Sequence, residues 1–163
     1  MSAGADVTMA DIEALATPAG WAAAYPRLDH AGAAAMPLAR RGLRHPDKNV
    51  RKWSAALMDH HADEGCIADL VAALRDSSPD VRRHALHSLS CQACKPSPLK
   101  VDVVLYLVAL AMSDSSIRVR RAAAHMLGNQ PPDERAAAAL REIAGSAADP
   151  KLRFNARWAL SHQ

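Results

Sequence analysis

Aromatic residues are scarce: three Trp, two Tyr and one Phe in 163 residues. That speaks against a β-sandwich or barrel, whose strands favour aromatic and β-branched side chains. Glycine is sparse too, seven scattered residues, so no glycine-rich loop is present to cradle a phosphate. Three cysteines (Cys66, Cys91 and Cys94) are an odd count and too few for a disulfide framework. No run of about 18 apolar residues could span a membrane. No basic residue precedes Arg27 and no apolar h-region leads to a cleavage site. A secretory signal is therefore not expected, and a reducing cytoplasm is. Neither a Ser-His-Asp signature nor paired acid–base carboxylates are recognisable. The chain is expected not to be an enzyme and to need no cofactor.

Apolar residues make up 50% of the chain, with alanine very frequent. Small-residue helices that pack closely fit that composition. Arginine outnumbers lysine fifteen to five, which together with the alanine excess suggests a GC-rich bacterial genome. The formal net charge is +3 and is unevenly placed. Residues 1–30 carry Asp6, Asp11, Glu13 and Asp29 against Arg27, whereas the remainder has nineteen basic and thirteen acidic residues. A basic body behind an acidic lead points to an anionic partner or to a shielding lead.

One phrase recurs. Val50-Arg51 leads to Leu57; Val81-Arg82 to Ala85, Leu86 and Leu89; Val119-Arg120 to Ala123, Met126 and Leu127; Leu152-Arg153 to Ala156, Ala159 and Leu160. Each set lies on one face of a 3.6-residue helix. A period of roughly 31–38 residues is the signature of a helical solenoid. The longest spacing contains an insertion, Cys91 to Pro98, whose two prolines keep it out of regular helix. Residues 1–29 do not fit the repeat and are expected to form an acidic capping segment, with Thr8 and Thr17 as helix N-caps. Val101 to Met112 is the most apolar helix and is expected to be the most buried. Gly128 is expected to close its helix in the left-handed conformation.

The repeated phrase resembles HEAT repeats of the bacterial type also seen in phycobilisome lyase subunits. Asp76 and Asp114 end their turns five residues before Val81 and Val119; the first and last copies depart, with His45 and Ala147 there. The resemblance covers residues 30–163 as four helix pairs. It implies an all-α, α-α superhelix with the Val-Arg helices on the concave side.

Position by position, the helix step decides which residues face out. Two residues after each Val or Leu stand Lys52, Arg83, Arg121 and Phe154; six after stand Ala56, His87, His125 and Trp158. Trp53, His84 and Arg157 border them. Lys52, Arg83, Arg121, His87, His125 and Trp158 are the candidate partner-binding residues, because arginine with large aromatics typifies interaction hot spots. The arginine directly after each Val or Leu is instead expected to form a ladder between repeats.

The segment His84-x2-His87-x3-Cys91-x2-Cys94 is the second constellation. It could hold a tetrahedral zinc ion, with His60, His61 and Cys66 as outside ligands. The plainer expectation is reduced thiols and surface histidines with no metal. Iron-binding HEAT-like hydroxylases use His-Glu pairs, and none occurs here. The expected function is a non-enzymatic scaffold for a protein partner with an acidic surface. Nucleic-acid binding, as in HEAT-like DNA glycosylases, or a metal- or thiol-dependent site at Cys91 and Cys94, is the alternative.

Overall fold

A computed structural model describes residues 6–95 and 97–163. The first five residues of the expected capping segment, and Pro96 of the insertion, lie outside the described residues. Among those described, every regular element is helical and no strand occurs. The chain divides into two compact units, Met1–Leu99 and Lys100–Gln163.

In the first unit, α1 (Met9–Ala14) and α2 (Pro18–Ala31) precede the repeats. Asp11 accepts from Thr8 N at 2.8 Å in a capping box, and Thr17 accepts from Gly20 N with Pro18 at the first turn. Both caps are those expected from sequence. Ile12, Leu15 and Leu28 are fully buried, and both helices pack on α4. The expected boundary at residues 29/30 falls inside α2. A 3-10 turn with Gly32 at φ 57° leads into α3 (Met36–Gly42), where Pro37 starts the helix rather than kinking it. Asp47 caps α4 (Lys48–His61). Helices α5 (Ile67–Ala73) and α6 (Pro79–Ser90) complete this unit. Its core is the expected face of α4 and α6: Val50, Leu57 and Met58 with Val81, Ala85 and Leu86. Ser88 donates to Ala55 O at 2.7 Å, tying α6 to α4 inside that core.

In the second unit, α7 (Val103–Ser113) pairs with α8 (Ile117–Leu127), and α9 (Glu134–Ser146) with α10 (Pro150–Leu160). Two expectations fail here. Helix α7 is the most apolar but not the most buried. Only Val104, Leu107 and Ala111 are buried, and Leu105 is 56% exposed. Its apolar residues are spread round the whole helix, so packing on α8 and α9 covers only part of them. Gly128 is not left-handed: its φ is −69°. Its missing side chain serves a close approach instead, because a Cβ there would lie 2.8 Å from Ala159 Cα and 2.7 Å from Trp158 Cζ3.

Arg51 forms the expected inter-repeat rung, a fork onto Asp76 at 2.6 and 3.0 Å. Arg82 and Arg153 bind backbone carbonyls in the turns just before their own helices, at Asp76 and Ser77 and at Ala147 and Ala148, whereas Arg120 donates to Ala111 O inside α7. The rung between α8 and α10 comes from Arg121, which forks onto Asp149 at 2.9 and 2.5 Å. The shift follows from the last turn. Ala147 stands where Asp76 stands in the second repeat, and the acid sits two residues later, as the N-cap of α10.

Arg121 pulls the Asp149 carboxyl down to about 2, and the Leu152 N–H it accepts adds to this. A lowered folded pKa stabilises above the unfolded value of about 3.9, and the gain is lost as pH falls toward 2. Urea unfolding at pH 5 and pH 2.5 should therefore show a larger acid loss for wild type than for Asp149→Asn. Equal losses would show that the fork does not couple to folding.

Candidate functional site

Three helices of the first unit place aromatic rings side by side. Trp21 and Tyr25 come from α2, one turn apart; Trp53 comes from α4 and His84 from α6. Trp21 and Trp53 have ring centroids 4.9 Å apart, Tyr25 and Trp53 5.8 Å, and Trp53 and His84 6.0 Å. Lys52 Nζ stands 4.0 Å over the Trp53 ring, and Arg83 donates to His84 Nε2 at 3.4 Å. Burial, then the charges of Arg83 and Lys52, push His84 down to about 4, so the ring is neutral near pH 7. Tyr25 is raised to about 12 by burial and by Asp29 and Asp59. Trp21 Nε1 and Arg83 Nε are buried without a hydrogen-bond acceptor, an uncommon and costly condition for a donor. A small niche of about 190 Å³ opens beside Trp21, lined by Leu15, Pro18, Trp21, Asn49, Lys52 and Trp53.

The six sequence candidates separate. Lys52 and Arg83 join this aromatic face. His87 lies one turn beyond His84 on α6, its Nδ1 3.0 Å from Asp59 Oδ1. Arg121 is engaged by Asp149. His125 stacks on Trp158 at 4.3 Å and 20°, and His162 closes on the other ring contact at 4.4 Å. Phe154, one turn before Trp158, is 68% exposed, so the second unit carries an aromatic patch of its own. Trp21 and Tyr25 were missed because residues 1–29 lie outside the repeat. Their helical spacing on α2 was the available signal.

Three of the four residues of the cysteine constellation come together, with Asp59 in place of His84. Asp59, His87, Cys91 and Cys94 bring four ligand atoms within 4.8 Å of one another. His84 belongs to the aromatic face, and neither His60, His61 nor Cys66 is in the group. Instead of free thiols, Cys91 and Cys94 form a disulfide with Cα atoms 5.5 Å apart, since the turn just after α6 brings them within bonding reach. Cys66 is the free cysteine, buried, and burial raises its thiol. Lys95 is buried with Nζ 3.9 Å from Asp59 Oδ1. Burial pulls the Lys95 ammonium down, against Asp59. Burial also works to raise Asp59, but His87, Lys95 and His60 outweigh it and leave the carboxyl low.

With this geometry in place, the sequence matches the family model for HEAT repeats over residues 36–105 and again over 67–161. The chain belongs to the HEAT-repeat family. The HEAT pairs are α3–α4, α5–α6, α7–α8 and α9–α10. Among solved structures, the complex of CpcE and CpcF of phycocyanin lyase from Nostoc sp. PCC7120 is similar, at 22% identity and TM-score 0.73, covering 93% of this chain and 99% of that one. A designed armadillo repeat protein in complex with the peptide (KR)4 is similar at 18% identity and TM-score 0.57, covering 94% and 80%. These likenesses show the all-α solenoid fold class. No curated protein matches the sequence. No helix among the described residues is long and apolar enough to cross a membrane.

Proposed function

We propose that this HEAT-repeat protein is a non-enzymatic scaffold that captures an acidic segment of a protein partner on the α2–α4–α6 face. The observation that carries this reading is the run Trp21–Trp53–His84 beside Lys52 and Arg83, with two donors lacking acceptors. Rings immobilised by one another lose little entropy on binding, and cation-flanked aromatics are favoured hot spots. A partner's apolar side chain fits the niche beside Trp21, while its carboxylates meet Lys52 and Arg83. The similar phycocyanin lyase structure is itself a complex of two chains, which accords with a partner-binding role. His87, Arg121, His125 and Trp158 serve this reading less directly. The first two have carboxylate neighbours, and the others form the separate patch of the second unit. The same internal pairing disfavours nucleic acid, because Arg51, Arg121 and Arg135 are held by Asp76, Asp149, and Asp102 with Asp133. On this reading the protein works in a bacterial cytoplasm.

The test uses a labelled alternating Asp-Glu peptide of the same length as (KR)4, with (KR)4 as contrast. Wild type should bind the acidic peptide in a salt-sensitive manner. The variant Lys52→Glu with Arg83→Glu should weaken it by about 100-fold, the scale of reversing close charge pairs. Unchanged affinity in a variant of unchanged helicity would refute the face assignment.

A further inference from the structure

We infer that Asp59, His87, Cys91 and Cys94 form a zinc site when the two cysteines are reduced, and that the disulfide is the metal-free form of the same site. This inference stands apart from the partner-binding reading and does not depend on it.

The ligand chemistry is the first ground. Two thiolates, an imidazole and a carboxylate are all zinc ligands, and four of them complete a tetrahedral structural site. The helices deliver them without strain. His87 and Cys91 are four residues apart at the end of α6, and so share a side. Cys94 returns on the following turn. Asp59 projects from α4, which packs directly against α6. In a tetrahedral site with ordinary zinc distances, ligand atoms lie roughly 3.3–3.8 Å apart. Here all four lie within 4.8 Å, with His87 Nδ1 and Asp59 Oδ1 3.0 Å apart, so the sulfurs need only part and the carboxylate and imidazole shift slightly.

Orphaned polar atoms are the second ground. Asp59 Oδ1 is buried with no hydrogen bond, although His87 Nδ1 is 3.0 Å away. The two atoms lie together beside the cysteine sulfurs, as suits two ligands of one ion. The Lys95 side chain is 1% exposed, and its Nζ also lacks a hydrogen bond while lying 3.9 Å from Asp59 Oδ1. A buried ammonium requires compensation. Asp59 supplies one negative charge. A disulfide adds none, and Zn²⁺ with two thiolates also adds none. Lys95 therefore stays balanced in both forms, which makes the two forms electrostatically interchangeable. A cavity of about 350 Å³ lined by His60, His61, Lys95 and Pro98 reaches the buried lysine.

A peroxide converts the zinc form to the disulfide. The two zinc-bound thiolates give two electrons to hydrogen peroxide, its O–O bond breaks, and the S–S bond forms. Two protons from solvent complete two waters, and Zn²⁺ leaves because a disulfide is a poor ligand. A dithiol or phosphine reductant reverses the sulfur step.

The test takes the untagged full chain, reduced with a phosphine under argon and stripped of metal, and titrates it with Co²⁺. One Co²⁺ per chain should bind, with the intense d–d and thiolate charge-transfer bands of a tetrahedral site, and Zn²⁺ should displace it. The disulfide form should show neither band, and hydrogen peroxide should release zinc from the loaded protein. Asp59→Asn should weaken cobalt on the order of 100-fold, about one ligand's share of a four-ligand affinity, with circular dichroism unchanged. Weak octahedral cobalt spectra in reduced, folded protein would overturn the inference. So would equal cobalt affinity in the two redox forms, or an Asp59→Asn variant that binds like wild type. If Cys94→Ser does not fold, the oxidised wild type and Asp59→Asn carry the test.

Discussion

Gly128→Ala is expected to destabilise the second unit by about 2 kcal/mol, whereas Gly145→Ala is expected to stabilise it by about 0.5 kcal/mol. Both glycines have ordinary negative φ, so the unfolded-state entropy term favours alanine at each. Packing decides the sign. At Gly145 a new Cβ meets nothing within 4 Å. At Gly128 it would meet the α10 backbone at 2.8 Å and the Trp158 ring at 2.7 Å, distances that real Cβ contacts do not show. Either α8 and α10 separate or Trp158 leaves its stack with His125. Overpacking of this kind typically costs 1–3 kcal/mol, which exceeds the entropy gain. Urea denaturation of the two variants against wild type measures both signs. A stabilised Gly128→Ala would mean that α8 and α10 are packed less closely than described.

Trp53→Ala is expected to remove about 3 kcal/mol from the first unit and to abolish acidic-peptide binding. Trp53 is the ring through which α2, α4 and α6 meet, in contact with Trp21, Tyr25, His84 and the Lys52 ammonium. Its loss leaves a cavity between three helices and frees the cation that it orients. Trp53→Phe keeps an apolar ring and should recover most of the stability but only part of the binding. Chemical denaturation and fluorescence anisotropy on the pair separate the two roles. Wild-type binding by both variants would assign Trp53 to packing alone.

The fold was legible because the Val-Arg phrase repeats with helix-period apolar residues, and the turns between carry Asp, Ser and Pro. The caps at Thr8 and Thr17, the start of α4 after Asp47 and the end of α6 at Ser90 all follow from local chemistry. Less was legible at the candidate sites, for reasons of long-range pairing. Asp59 lies 28 residues before His87, and nothing local marks it as facing Cys91. Arg121 looked outward on a helical wheel, but the wheel does not show that Asp149 arrives above it. The hydrophobicity of α7 indicated burial, yet one helix cannot hide every face. At Gly128 it is the close contact with Trp158 and Ala159, invisible in local sequence, that requires glycine, not its backbone conformation.

The most direct measurement of the central proposal is the indole N–H spectrum of the full, ¹⁵N-labelled chain, since its three tryptophans sit in the two places at issue. Trp21 and Trp53 lie on the α2–α4–α6 face, and Trp158 lies in the second unit. Titration with the alternating Asp-Glu peptide should move the Trp21 and Trp53 resonances saturably, and (KR)4 should leave them in place. Trp158 should respond weakly or not at all to either peptide. Unmoved Trp21 and Trp53 resonances, or equal shifts with both peptides, would contradict an acid-binding aromatic face.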